Sequence, residues 1–193
     1  RGKFENVKAA RLARTKLYLT DQAAYFNQLI KEIIALEKKA AKMGLKPLVR
    51  LNGTSDIRWE NIHFVYNNVT YRNIFELFPN IQFMDYTKIP NRINSMNGIS
   101  DFPSNYDLTF SYSGAPGFEK YNQRAIDKGM RIAAVFDKVE SIPLTFHKRQ
   151  VLSGDDNDLT FTKPKNSILA LYAKGSKKEI QLGLGSQFII GGA

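Results

Sequence analysis

The chain has 193 residues, of which 43% are hydrophobic and 24% charged, a composition that suits one globular domain with a sizeable core. It contains no cysteine and only two histidines, which excludes disulfides, thiolate zinc sites and iron–sulfur ligation within these residues. No apolar run approaches the roughly 18 residues of a membrane span, and the start does not read as a signal peptide. We therefore expect a cytoplasmic protein with no membrane partner.

The net charge of +10 is unevenly placed along the chain. Residues 1–50 carry 12 Lys and Arg against 4 Asp and Glu, whereas the other 143 carry 16 against 14. A concentrated positive field indicates an anionic partner, nucleic acid before others. The alternative is a charged helix face that only keeps the protein soluble.

Two helices are predicted first, so that residues 5–43 form a basic N-terminal segment of a single domain over residues 1–193. In residues 5–18 the alanines share one side, and Lys8, Arg11 and Arg14 share the other. Thr20 or Asp21 can cap the second helix, residues 21–43, which Gly44 ends.

Short apolar runs follow, with helical candidates between several of them. Strand and helix in alternation predict parallel pairing, because a parallel neighbour needs a crossover connection. We expect an α/β fold with a largely parallel sheet, as a partial or complete TIM-like barrel; the alternative is an open doubly wound sheet. The predicted strands are residues 48–51, 81–84, 108–110, 130–136, 144–146 and 168–173, and the predicted helices are residues 71–78, 89–96 and 118–128.

Polar residues follow the apolar runs, where ligands bind in parallel α/β folds. Asp56, Tyr86, Lys88 and Ser111 are the candidate catalytic residues, because a lysine among carboxylates and hydroxyls at strand ends is open to pKa tuning. The alternative is that strand ends are polar because turns favour such residues anyway. Further polar residues at these ends are Asn52, Thr54, Asp85, Thr87, Tyr112, Ser113 and Lys174.

An acidic cluster and a histidine are weaker candidates. Asp155, Asp156 and Asp158 place three carboxylates within four residues, which predicts oxygen ligands for a divalent cation such as Mg²⁺. The alternative is a solvated turn. His147, beside two basic residues, is a candidate general base or phosphate contact, with simple exposure as the alternative.

Several short motifs, in their order, resemble the phage "gene product 88" family. They are RLNGTSDIRWE at 50–60, DYTK at 85–88, LTFS at 108–111, AVF at 134–136, GDDND at 154–158 and AKG at 173–175, after an N-terminal helix containing AARLAR. Members of this family typically bear an upstream Cys-rich stretch with Cys-Tyr-Ala, similar to the cluster motif of radical-SAM-like barrels. The resemblance thus implies a mobile-element protein in the host cytoplasm, with a barrel-like scaffold that lacks cluster ligands in these residues.

Three functions remain open on this basis. The leading hypothesis is a nucleic-acid-associated protein whose strand ends form a site for a nucleotide or a metal. The second is a barrel-type enzyme that acts on a small molecule. The third is a non-catalytic interaction module, for which a flat apolar patch would be expected.

Overall fold

The computed structural model describes residues 4–92 and 102–191, and the chain divides into two compact units. The first unit contains Arg1–Val49 and Arg58–Gln82, and the second contains Arg50–Ile57 and Phe83–Ala193. The loop at residues 50–57 therefore belongs with the C-terminal part of the chain. A single domain over residues 1–193 stays a prediction.

Two helices open the first unit, α1 (Glu5–Thr20) and α2 (Gln22–Lys42), as the sequence predicts. Asp21 caps α2, since its carboxylate accepts a hydrogen bond from the Ala24 N–H. Gly44 has φ +65°, and the following N–H bonds back to the Ala40 carbonyl. This left-handed residue closes the helix in a Schellman motif, which explains why a glycine ends it.

Aromatic side chains form the core of the first unit. Phe26 of α2 stacks on Phe64 with ring centroids 4.5 Å apart, and Trp59 stacks on Tyr25 at 6.0 Å. Trp59 is buried, so its ring serves the core of this unit. The remaining elements of this unit are β1 (Leu48–Val49), β2 (Phe64–Tyr66), β3 (Val69–Tyr71) and α3 (Ile74–Leu77), with β2 and β3 paired antiparallel.

A largely parallel sheet organises the second unit. Within the described residues its strands follow the order β4-β5-β6-β9-β8-β7, and β10 pairs with the end of β6. All these pairings are parallel except that between β7 and β8. The elements are β4 (Gln82–Thr87), β5 (Tyr106–Ser111), α4 (Glu119–Asp127), β6 (Ile132–Phe136), β7 (Thr145–Phe146), β8 (Arg149–Ser153), β9 (Ile168–Tyr172), α5 (Lys177–Gly185) and β10 (Ile189–Ile190).

The α/β class and the parallel sheet are confirmed, but a closed TIM-like barrel is not. A (β/α)₈ barrel places successive parallel strands side by side around a ring. Here β9 lies between β6 and β8, so spatial order departs from chain order, and antiparallel β7 ends the path. The sheet is therefore open over the residues that the structure describes.

The predicted helix at residues 89–96 appears only as a single 3₁₀ turn at Pro90–Arg92. Residues 93–96 lie outside the described part of the chain. Helix α5 was not predicted, although Ser176 and Glu179 form a capping box at its start, a pattern visible in the sequence.

A buried arginine anchors the start of β6. Arg131, only 2% exposed, donates to the Asp107 carboxylate at 2.6 Å and to the Lys163 carbonyl at 2.6 and 3.1 Å. Its removal would leave a mostly buried carboxylate without a counter-charge.

We expect Arg131→Met to lower the free energy of unfolding by about 3 kcal/mol, because one partner of a buried ion pair is lost. Urea denaturation measures the change. Arg124→Gln, at an exposed position on α4, is the control and should change stability by no more than about 0.5 kcal/mol. Equal stability of the two variants would contradict the assigned role.

Candidate functional site

The loop at residues 50–57 is shaped by one buried amide. The Asn52 side-chain oxygen accepts from the Ser55 hydroxyl at 2.8 Å and from the Ile57 N–H at 3.0 Å, and its amide donates to the Ile57 carbonyl at 2.9 Å. These bonds close the loop on itself and turn Asp56 toward the end of β4. Asn52 and Gly53 thus begin a loop and not a hairpin.

Asp56 ties this loop to the carboxyl end of β4. Its carboxylate accepts from the Thr87 hydroxyl, the Lys88 N–H and the Arg92 guanidinium, each at 2.8 Å. Arg92 is fully buried, so Asp56 supplies the counter-charge that such a guanidinium requires. With three donors in place, this carboxylate acts as an anchor for its neighbours.

A second buried carboxylate lies on the same strand. Asp85 accepts from the Asn52 N–H at 2.8 Å and from the Tyr106 hydroxyl at 3.0 Å, and the Arg50 Nε lies 4.0 Å away. The Tyr106 hydroxyl also accepts from Arg92 at 3.1 Å. Burial nevertheless raises the pKa of Asp85 to about 6, because desolvation outweighs these bonds and both guanidinium charges.

The Lys88 amine lies in a partly apolar setting beside β5. It donates to the Ser111 carbonyl at 3.1 Å and to the Ser111 hydroxyl at 3.2 Å. The rings of Phe118 and Phe188 lie 5.5 and 5.0 Å from it. Burial lowers the pKa of Lys88, against an opposing effect from the charge of Asp56. An amine with a lowered pKa is more often unprotonated near neutral pH and can then accept a proton or act as a nucleophile.

Tyr86 faces the other side of the sheet from Asp85 and Thr87, since side chains alternate along a strand. The Arg50 guanidinium lies 4.7 Å from the centre of its ring. Burial raises the pKa of the Tyr86 hydroxyl, and the charge of Asp158 adds to the increase. Tyr86 therefore lies near the carboxyl end of β4, as the sequence predicts, but on the opposite face of the sheet from Asp85.

His147 lies in the tight turn between β7 and β8, with φ +50°. Its Nε2 lies 3.3 Å from the Tyr112 hydroxyl. Burial lowers the pKa of His147, helped by the charge of Arg149. Neutral imidazole is therefore favoured, which suits a general base, and Tyr112 is its neighbour at the end of β5.

The acidic cluster is divided among separate partners. Asp155 accepts from Lys174 at 2.5 Å and from the Tyr172 N–H at 2.9 Å, whereas Asp156 pairs with Lys163 at 3.5 Å. Among the described residues no group of three or more His, Cys, Asp or Glu side chains could hold a metal ion. A divalent cation at Asp155, Asp156 and Asp158 stays a prediction, without a gathered ligand set.

Three of the four predicted catalytic residues lie together in the structure. Asp56 accepts from the Lys88 N–H, and the Lys88 amine donates to Ser111. The sequence did not single out Arg50, Arg92 or Tyr106, which complete the arrangement. Arg50 appeared only as one charge in the basic N-terminal quarter. No signal marks Arg92, because a buried arginine looks like any other arginine in a sequence.

The predicted nucleic-acid contacts lie on α1, which buries none of its residues. Lys8 and Arg11 are exposed, and Arg14 makes an exposed ion pair of 3.2 Å with Glu32. The structure describes no helix that is long and apolar enough to cross a membrane.

These features define an α/β protein with a polar site at the carboxyl ends of its parallel strands. The family model described as "Gene product 88" matches residues 1–186, and the chain belongs to this family. Comparison with curated proteins and with solved structures gave no significant match.

The raised pKa of Asp85 predicts a pH dependence of stability. The folded state holds this proton up to about pH 6, whereas the unfolded chain releases it near pH 3.8. The stabilising contribution is thus complete below pH 3.8 and is lost as the pH rises to about 6.

Relative to Asp85→Asn, the free energy of unfolding of the wild type should fall by up to about 3 kcal/mol between pH 4 and pH 7. Urea titrations at a series of pH values measure it. Asp127→Asn, at an exposed carboxylate, is the control. Parallel pH profiles for the wild type and Asp85→Asn would refute the assignment.

Proposed function

We propose that this chain is a nucleic-acid-associated protein that contacts backbone phosphates through α1. The observation that supports this most is an α-helix with no buried residue that carries exposed basic side chains. Among the described residues Lys8 and Arg11 have no ion-pair partner, so their charges are available to an anion. Helix α1 packs on the core only near its end, where Tyr18 contacts Tyr25 and Trp59, so the exposed basic remainder is more readily explained by an external partner.

The spacing of the three residues suits a charged backbone. They are three residues apart, which places them about 4.5 Å apart along the helix axis. The Arg14–Glu32 pair is exposed, and exposed pairs contribute only about 0–1 kcal/mol, so a phosphate can replace Glu32 at little cost. Each phosphate that is neutralised releases counterions, which makes such binding depend on salt.

Replacement of Lys8, Arg11 and Arg14 by alanine should lower the slope of log affinity against log salt concentration by about 0.7–0.9 for each lost contact. Fluorescence anisotropy with labelled duplex DNA, single-stranded DNA and RNA measures the slope and identifies the preferred partner. The control removes three exposed charges elsewhere, at Arg124, Lys177 and Lys178. Equal slopes for the two triple variants, or no binding at low salt, would exclude the proposal.

A second candidate function is chemistry on a small molecule at the strand ends. It is favoured by the arrangement of Lys88, whose amine combines a hydroxyl neighbour, two aromatic rings and a lowered pKa. In this function Lys88 is the base or nucleophile, and Asp56 holds it in place through its backbone N–H. Ser111 completes the polar surroundings of the amine.

The Lys88 amine should be modified by acetic anhydride with a pH midpoint lower in the folded protein than in the urea-denatured chain, because burial favours the neutral amine. Quantitative peptide mass spectrometry gives the midpoint for each lysine separately. Partial burial also slows the reagent's access to Lys88. This changes the rate of modification but not its pH midpoint, so the midpoints are compared. The same midpoint in both states would exclude Lys88 as an activated amine.

A further inference from the structure

We propose that the outward face of α2 is a second contact surface for a nucleic-acid backbone, formed by a row of three lysines. This lysine row consists of Lys31, Lys38 and Lys42. The inference rests on the proposed function, because it takes the same partner, but its residues lie on a different helix from the contacts assigned to α1.

The helical repeat places the three lysines on one side of α2. At about 100° per residue, Lys38 and Lys42 lie within about 20° of Lys31 around the helix axis. Phe26 and Ile33, which are buried in the core of the first unit, lie about 140° and 160° away from Lys31. All three lysines are exposed, so the row points away from the core.

No carboxylate offsets the charge of the lysine row. Within the described residues none of its members makes an ion pair, and no Asp or Glu stands three or four positions from any of them. Glu32 lies about 100° from the row and is engaged by Arg14 and Gln28. Glu37 lies within about 20° of Phe26, on the core side of the helix. The row is therefore an uncompensated line of positive charge.

A helix face that served only solubility would not need this arrangement. Lys38 and Lys42 are four residues apart, where two like charges destabilise a helix. A surface with both signs interspersed is soluble without that repulsion. The helix macrodipole favours a cation in the last turn, which accounts for Lys42, but Lys31 lies about three turns before the helix end. A bound polyanion would remove the repulsion and accounts for all three positions.

The length of the lysine row suits a line of phosphates. Lys31 and Lys42 lie roughly 16 Å apart along the helix axis, and one strand of B-form DNA carries a phosphate per about 3.4 Å of duplex axis, so the row spans about five phosphates. Ala35 lies between Lys31 and Lys38 on this face, and its methyl group leaves the row open to a backbone that runs along α2. Lysine amines act as point charges on flexible stems, so we expect contacts to phosphate that do not depend on base sequence.

Replacement of all three row lysines by glutamine in the full chain tests the proposal, since glutamine removes the charge but has a helix propensity close to that of lysine. The slope of log affinity against log salt concentration should fall by about 2 to 3. Fluorescence anisotropy with labelled duplex DNA, single-stranded DNA and RNA measures it. Replacement of the row by arginine should keep the slope, and so should glutamine at Arg124, Lys177 and Lys178, the matched control. A wild-type slope in the glutamine variant of the row would overturn the proposal.

A measurement on the wild-type chain keeps the test valid if a variant fails to fold. An amine-reactive acetylating ester should modify the row lysines in the free protein, and a saturating amount of the preferred nucleic acid should slow this modification about tenfold. The modification of Lys177 and Lys178, which are exposed on α5, should stay unchanged. Peptide mass mapping gives the rate for each lysine. Equal rates for the row with and without nucleic acid would overturn the proposal.

The triple variants of α1 and α2 separate failure of this proposal from failure of the function proposed for α1. A lower salt slope in the α1 variant alone would support contacts at α1 and overturn those at α2. A lower slope in the α2 variant alone would assign the backbone to the lysine row and exclude α1. Vesicles that contain phosphatidylserine test a lipid surface as the partner. Vesicle binding that the α2 variant loses, with a wild-type slope for nucleic acid, would overturn the proposal in favour of lipid headgroups.

Discussion

The ion pair between Asp56 and Arg92 is the interaction on which the second unit's site depends. Arg92 is fully buried, and a guanidinium in that environment is tolerated only with a charge partner and satisfied donors. Asp56 provides the partner, and the Tyr106 hydroxyl takes a second donor. Asp56 also accepts from the Thr87 hydroxyl and the Lys88 N–H. The counter-charge that the buried Arg92 requires therefore also joins the loop at residues 50–57 to the end of β4 and to Lys88.

The second buried carboxyl of the site, that of Asp85, differs from Asp56 in its protonation. Asp56 is ion-paired with Arg92, whereas burial raises the pKa of Asp85 to about 6, so that Asp85 takes up its proton in mildly acidic solution. At neutral pH Asp85 is mostly ionised and lies 4.0 Å from the Arg50 Nε, and the charge of Asp56 acts on Lys88. A fold that needed only stability could have placed apolar residues there, since buried ion pairs seldom exceed well-packed hydrophobic groups in stabilisation. The retained charges suit the chemistry proposed for Lys88.

The sequence predicted most helices and strands and the location of polar residues at strand ends. It predicted few of the contacts between residues that are distant in the chain. Both long helices and six strands follow from apolar patterns, and polar residues after two of those strands do meet, as Lys88 and Ser111 show. The hairpin of β2 and β3 was missed, although Asn67 and Asn68 adopt the left-handed conformation that its turn requires. The role of Arg92 could not be predicted, because it comes from burial and not from any local pattern.

Arg50 shows that charges which are close in the sequence can belong to different parts of the structure. By position it belongs to the basic N-terminal quarter, yet the structure assigns it to the second unit, on the ring of Tyr86. The charges of α1 are exposed and are screened over about 10 Å at ordinary ionic strength, whereas a partly buried guanidinium is screened much less. The contacts of Arg50 with Tyr86 and Asp85 should therefore depend less on salt concentration than binding at α1, which distinguishes the two groups of charges.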